Sequence, residues 1–152
     1  MATRRDRARA AAVTRGRAAI SRVVANASDE QLARRFGSAF AQRTLFSAIA
    51  RSFQPPMAFG FEGAITYEVL QPADGAGAQR SDWWTIDVGS RKATARRGRV
   101  DTAAVVVHVT VADLLRFVSG DLSALTAAVE GRVRVEGDVL LAARVGEMFG
   151  GG

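Results

Sequence analysis

The stretch AAVVVHVTVADLLRFVSGDLSALTAAVEGRVRVEGD, residues 103–138, decides how the rest of the chain is read. It opens on a dense β-branched run, Val105 to Val111, which suits a pleated strand. Thr110 stands three residues ahead of Asp113, and Leu114, Leu115, Phe117 and Val118 follow. That spacing predicts an N-cap, a short apolar helix and a stop at Gly120. A second short helix is expected from Ser123 to Glu130, ended by Gly131. Arg132-Val133-Arg134-Val135-Glu136 then alternates with period two, the pattern of a half-buried strand. Gly137-Asp138 turns the chain into a last helix over about Val139 to Phe149, with Leu141, Val145, Met148 and Phe149 on one stripe and Leu140 near its edge.

Working outward, the same period of two recurs upstream. Ile65, Tyr67 and Val69 alternate with Ala64, Thr66 and Glu68. Trp84, Ile86 and Val88 alternate with Trp83, Thr85 and Asp87, and Ala93 and Ala95 with Lys92, Thr94 and Arg96. With Val105, Val107 and Val109, and Val133 and Val135, five segments each present one apolar face. Such a sheet needs a cover on that face, and the helices are available for it. Pro72 to Gly77 reads as a loop by composition, and Gly89-Ser90 as a hairpin turn. Ala93 and Ala95 supply little volume. Two readings of them stand side by side: a cavity under the helices, or helices that sit closer there.

Ser28-Asp29-Glu30-Gln31 is a capping box, with Ser28 placed to cap the amide of Glu30 or Gln31 and Gln31 able to reach back. One helix is expected from there to Pro55-Pro56, which stops it. Leu32, Phe36, Phe40, Ile49 and Phe53 fall close to one stripe of that helix, with Leu45 and Phe46 beside it. Arg34, Arg35, Gln42, Arg43 and Arg51 fall mostly on the other side. Core packing is the plainer explanation of the stripe, and the lining of a ligand site is the alternative.

At 152 residues the chain is one domain's worth, and 48% apolar residues are enough for a single core. There is no cysteine, hence neither disulfide nor thiolate chemistry. No run approaches the eighteen apolar residues of a membrane span. The net charge of +6 belongs to the leader: Met1 to Ser28 hold seven arginines against Asp6 alone, and from Asp29 onward fourteen cations face fourteen acids. Two parts are therefore expected, a basic Arg/Ala-rich extension over 1–27 and a single domain over 28–149. The extension reads as a poorly ordered or loosely helical arm. The alternatives are contact with an anionic membrane surface, a targeting segment, or a nucleic-acid arm. The balanced charge of the domain argues against nucleic acid as its partner. Ile20, Val23 and Val24 suggest that the last turns of the leader pack on the body.

The residues for catalysis are missing at useful spacings. His108, the single histidine, sits mid-strand on the polar face with no cysteine or second histidine for a metal site. There is no Gly-x-Ser-x-Gly. The loop at Gly75 and Gly77 lacks the Lys-Ser/Thr of a phosphate cradle. Asp87, Asp113 and Asp138 have no obvious acid–base partner.

The order strand, two small helices, strand, helix, with its glycines, resembles the sterol carrier protein type 2 (SCP-2) family of lipid-binding domains. The residues that carry the likeness are Val109-Thr110, Asp113-Leu114, Ser119-Gly120-Asp121-Leu122, Ala127, Gly131-Arg132-Val133-Arg134-Val135 and Glu136-Gly137-Asp138. Phe61-Glu62-Gly63-Ala64-Ile65-Thr66-Tyr67 and Trp84-Thr85-Ile86 look like the family's first two strands, and the likeness spans roughly Phe59 to Phe149. Ala104 and Ala124-Leu125 depart from its commoner residues.

The resemblance implies an α+β fold. Its expected form is a five-stranded, mainly antiparallel sheet with helices covering one face and an apolar tunnel between. It favours the cavity over the closer helices. The implied lining is Phe46, Ile49, Phe53 and Met57 from the first helix and its exit, Tyr67, Trp84, Ile86, Ala95 and Val107 from the sheet, and Leu141, Val145 and Met148 from the last helix. The implied function is non-catalytic binding and transfer of a hydrophobic ligand in the cytoplasm, with no metal or cofactor. That ligand would be a fatty acid, fatty acyl-CoA, sterol or phospholipid. The alternative is a lipid-presenting accessory subunit of a lipid or quinone biosynthesis enzyme, with an exposed Trp83 as the protein-docking anchor.

Overall fold

The computed structural model describes residues 3–72 and 80–149. The chain runs α1 (Arg4–Ala25), α2 (Asp29–Phe36), α3 (Ala39–Arg51), a 3₁₀ turn (Pro55–Ala58), β1 (Gly63–Leu70), β2 (Ser81–Val88), β3 (Ala93–Arg97), β4 (Val105–Thr110), α4 (Val111–Ser119), α5 (Ala124–Val129), β5 (Val133–Gly137) and α6 (Val139–Met148). Of the loop expected at Pro72 to Gly77, all but Pro72 lies outside the described residues.

The strands form one sheet in the order β3-β2-β1-β4-β5. Three pairings are antiparallel, as expected, and the β1–β4 pairing is parallel, so the sheet is mixed. The reason is a crossover. β3 ends at one edge, and β4 starts beside Ile65 two strands away. Residues 98–104 must therefore cross β2 and β1. They do so on the face turned from the helices, where Arg99 lies 4.7 Å over the Trp83 ring and the Gly98 carbonyl accepts a 2.8 Å bond from the Thr85 hydroxyl. That crossing buries Thr66 and Thr85, whose hydroxyls meet at 3.0 Å, on what the sequence pattern marks as the polar face.

On the opposite face Ile65, Val69, Ile86 and Val105 are fully buried, and Tyr67, Trp84, Val88 and Val109 nearly so. Each such side chain contributes roughly 1.5–3 kcal/mol by leaving water. The register of β4 is the one its alternation predicts. Gly137, at the end of β5, has φ +99, and a Cβ there would stand 2.4 Å from the Ala104 carbonyl oxygen. Glycine alone lets the chain leave β5 so close to β4.

The helices begin where their caps predict. Ser28 and Gln31 form the capping box of α2, and the Thr110 hydroxyl accepts from the Asp113 amide at the start of α4. Gly120 closes α4 with φ +83. The single helix expected from Ser28 to Pro55 is instead two, broken at Gly37-Ser38, with Ser38 capping α3. A Cβ on Gly37 would lie 2.3 Å from the Ala33 carbonyl oxygen, so the break requires glycine. The break also resets the helical phase. Phe40, expected in the apolar stripe, is 81% exposed, and Gln42, expected toward solvent, is 1% exposed.

The described side chains of α1 are exposed up to Ala19; beyond it Ile20 and Val23 pack on the core and Val24 is buried. The Ser21 hydroxyl donates to the Asp121 carboxylate at 2.9 Å, as does that of Ser119 at 2.6 Å. Both bonds hold the Asp121 carboxyl below its usual range. Asp113, with no obvious partner in sequence, is buried between Arg116 at 2.8 Å and Arg132 at 2.7 Å. Arg116 also reaches Asp29, and Arg132 reaches Glu130, so one ionic chain links α2, α4 and the turn between α5 and β5. These carboxylates hold both guanidinium groups above their usual range.

Candidate functional site

The inner face of the sheet offers neighbouring rows of side chains. Ala95, Ile86, Ile65 and Val105 lie side by side, and in the next row Arg97, Trp84, Tyr67, Val107 and Val135. α3 lays Phe46 onto them. Its ring stacks on Trp84 at 5.2 Å and 10° and meets Tyr67 edge-on at 5.4 Å. Burial pushes the Tyr67 phenol above its usual range, since the phenolate would lose its water. Ile49 and Phe53 continue the apolar side of α3, and Phe53 touches Phe149 at 5.7 Å between ring centres.

α6 closes the layer from the other side. Leu141 and Met148 are buried and Val145 half-buried against the core. Two bonds clamp its end to the exit of α3: Gln54 N–H to the Met148 carbonyl at 2.7 Å, and the Ser52 hydroxyl to the Phe149 carbonyl at 2.8 Å. At its start, the Asp138 amide donates to the Ala104 carbonyl at 2.9 Å, and its carboxylate caps Leu141.

The structure thus brings Phe46, Ile49, Phe53, Tyr67, Trp84, Ile86, Leu141 and Met148 into one buried cluster, with Ala95, Val107 and Val145 packed against it. Met57 stands apart at the 3₁₀ turn, half-buried, its carbonyl 3.5 Å from an Arg144 nitrogen. Two surface clefts are formed by other residues. One, of about 480 Å³, lies between the end of α1 and α2. The other, of about 160 Å³, lies between the 3₁₀ turn, Phe61, Glu62 and the Gly89-Ser90 turn.

Two polar features of the layer were not legible in the sequence. At one end Gln42 accepts a 2.8 Å bond from the Trp84 indole N–H and donates to Asp82 at 3.0 Å. Asp82 also accepts from Gln71 at 2.8 Å, and Arg97 reaches it at 3.3 Å. This seam joins α3 to β2, to β3 and to the residue that follows β1. The one local hint was the Gly37-Ser38 break, which brings Gln42 round to the sheet. On α6, the Arg144 guanidinium lies 4.6 Å over the exposed Phe59 ring, and its buried Nε has no partner.

The outer face differs from its sequence reading. His108, on the polar face, is buried and hydrogen-bonded, with Nε2 2.8 Å from Glu136 and Nδ1 3.3 Å from Glu68. Glu136 is held below the usual carboxylate range, first by that hydrogen bond. Trp83, expected to be exposed, is half-buried beneath Arg99 and meets the His108 ring edge-on at 6.1 Å. Among the described residues no group of three or more His, Cys, Asp or Glu is placed to hold a metal ion.

Comparison with known proteins adds to this geometry. The family description "SCP-2 sterol transfer family" matches residues 62–150. No curated protein sequence matches the chain. Among solved structures, sterol carrier protein 2 of Yarrowia lipolytica is 16% identical, covers 69% of this chain and 86% of its own, and superposes with a TM-score of 0.55. Sterol carrier protein 2-like 2 of Aedes aegypti is 20% identical over 70% of this chain and 93% of its own, with a TM-score of 0.52. A stereoselective inverting sec-alkylsulfatase of Pseudomonas sp. is 17% identical over 71% of this chain, with a TM-score of 0.58. The chain spans only 16% of that enzyme's length. At these identities the likeness is one of fold.

Proposed function

Because the chain belongs to the SCP-2 sterol transfer family, we propose that it binds and transfers a hydrophobic ligand, without catalysis, in the layer between α3, α6 and the sheet. Fatty acids, fatty acyl-CoA, sterols and phospholipids are the ligand classes, and carriage in the cytoplasm belongs to the same proposal. The observation that carries the reading is the convergence of aromatic and aliphatic side chains from α3, β1, β2 and α6 on one apolar layer. Each buried methylene gives roughly 0.8 kcal/mol, so a sixteen-carbon chain offers on the order of 12 kcal/mol before ordering costs. The layer is closed to solvent by Leu141, Val145 and Met148 of α6, so loading moves α6 and puts ligand contacts in place of theirs. Movement of α6 would give the orphaned Arg144 Nε access to water, at the cost of its contacts with the Phe59 ring and the Met57 carbonyl.

The test is titration of delipidated protein with a fluorescent acyl chain. Saturable binding at one site per chain is the expected result, and its absence would sink the proposal. The accessory-subunit reading is weakened by Trp83, its intended anchor, which Arg99 already covers. Contact of α1 with an anionic membrane is proposed as an adhesive role. Exposed arginines attract anionic lipid by about 1 kcal/mol each at the surface, while the described side chains up to Ala19 include no large apolar group to insert. No helix among the described residues is long and apolar enough to cross a membrane.

A further inference from the structure

We propose that the cleft between the end of α1 and α2 is a binding site for a phosphate ester, either the headgroup of an anionic lipid or a soluble phosphate ester. The cleft, of about 480 Å³, is lined by Val23, Asn26, Ala27, Gln31, Arg34 and Arg35. That volume lies within the range of small-molecule sites. Two of its six lining residues are arginines and none is a carboxylate. Arg96, Arg97, Arg116 and Arg132 all sit on carboxylates, whereas among the described residues Arg34 and Arg35 have neither a hydrogen-bond nor an ion-pair partner. Their place in the last turn of α2 suits the helix dipole. It does not explain why both line a cleft without a counter-charge.

The remaining lining fits the same ligand. Gln31 uses its carbonyl oxygen on the Ser28 amide, which leaves its NH₂ as a donor. Asn26 uses its NH₂ on the Arg22 carbonyl. Val23 and Ala27, packed on the core, form an apolar floor. Forked guanidinium donors suit phosphate oxygens, and the floor suits the glycerol or acyl carbons beside them. The wider charge agrees: residues 1–61 hold eleven arginines and three acids, while residues 62–150 hold ten cations and twelve acids. The site lies ahead of the family-matched residues and stands whether or not lipid fills the layer under α6.

The experiment compares the double variants Arg34→Gln/Arg35→Gln and Arg5→Gln/Arg7→Gln in the full chain. Both remove two exposed positive charges, so melting temperatures should stay unchanged. The first readout is affinity for phosphatidylglycerol vesicles. The cleft variant should lose at least tenfold more than the α1 variant; equal losses would mean a diffuse field and overturn the site. The second readout is amide NMR shifts at Ala27 and Gln31 during titration with glycerol 3-phosphate and with dihexanoyl phosphatidylglycerol. Saturable shifts with both, abolished by Arg34→Gln/Arg35→Gln, support a site that accepts the phosphate ester alone. Shifts with the short-chain lipid only support a headgroup site that needs the apolar floor. Shifts with neither overturn the proposal.

Discussion

Gln42 stands between the Trp84 indole N–H and the Asp82 carboxylate, and both lose a partner if it is replaced. Gln42→Leu keeps the volume and removes both bonds. Leaving buried polar groups unpaired costs about 1–3 kcal/mol, so the urea midpoint should fall by that equivalent. An unchanged midpoint would show that the seam is incidental. Tyr67 allows a second test, because it is the only tyrosine. Burial raises its folded pKa above the unfolded value of about 10. The unfolded chain therefore releases this proton first. Stability from this group is intact below that pH and is lost as pH rises through and beyond it. Phenolate absorbance should appear only together with loss of near-ultraviolet circular dichroism. Ionisation at the ordinary pH with the fold intact would mean that water reaches the layer under Phe46.

At the scale of elements, α1 divides in two. Up to Ala19 its described side chains touch solvent; from Ile20 onward it is tied to the body by Val24 and by the Ser21–Asp121 bond. Deleting residues 1–15 should leave the melting temperature within about 2 °C, since little buried surface is lost. Deleting residues 1–25 should cost about 2–4 kcal/mol, the burial of one or two aliphatic side chains on α4. Equal effects of the two deletions would contradict this division. α2 and α4 form the next unit, held by Leu32 in the core and by the chain Asp29, Arg116, Asp113, Arg132, Glu130.

For the whole molecule, the question is whether the layer between helices and sheet opens. In the closed form Val145 is half-buried and Ala95 lies beside Ile86. Val145→Trp and Ala95→Phe should overpack it by about 1–3 kcal/mol. If lipid enters the same layer, both should also lower acyl-chain affinity at least tenfold. Melting temperature and affinity measured on the same samples tell the cases apart. Lost stability with unchanged affinity would mean that the layer is a solid core and that lipid binds elsewhere.

What the sequence determined by itself is local. The strands at Ile65 to Val69 and Val105 to Val109 follow from period two, and α2 and α4 start at Ser28 and Thr110 because a hydroxyl three residues ahead of an amide can cap it. The stops at Gly120 and Gly137 follow from backbone angles that other residues resist. The parallel pairing of β1 with β4 is not local: it arises because residues 98–104 carry the chain across β2 and β1, and no pattern within a strand specifies where that crossover ends. That crossing buries Thr66 and Thr85 on a face whose alternation says solvent, and cross-strand neighbours bury His108. Nor could a helical wheel drawn from Ser28 to Pro55 foresee that Gly37 resets the phase, sending Phe40 out and Gln42 in. Periodicity assigns side chains to faces within one element; what covers each face is settled by residues distant in the chain.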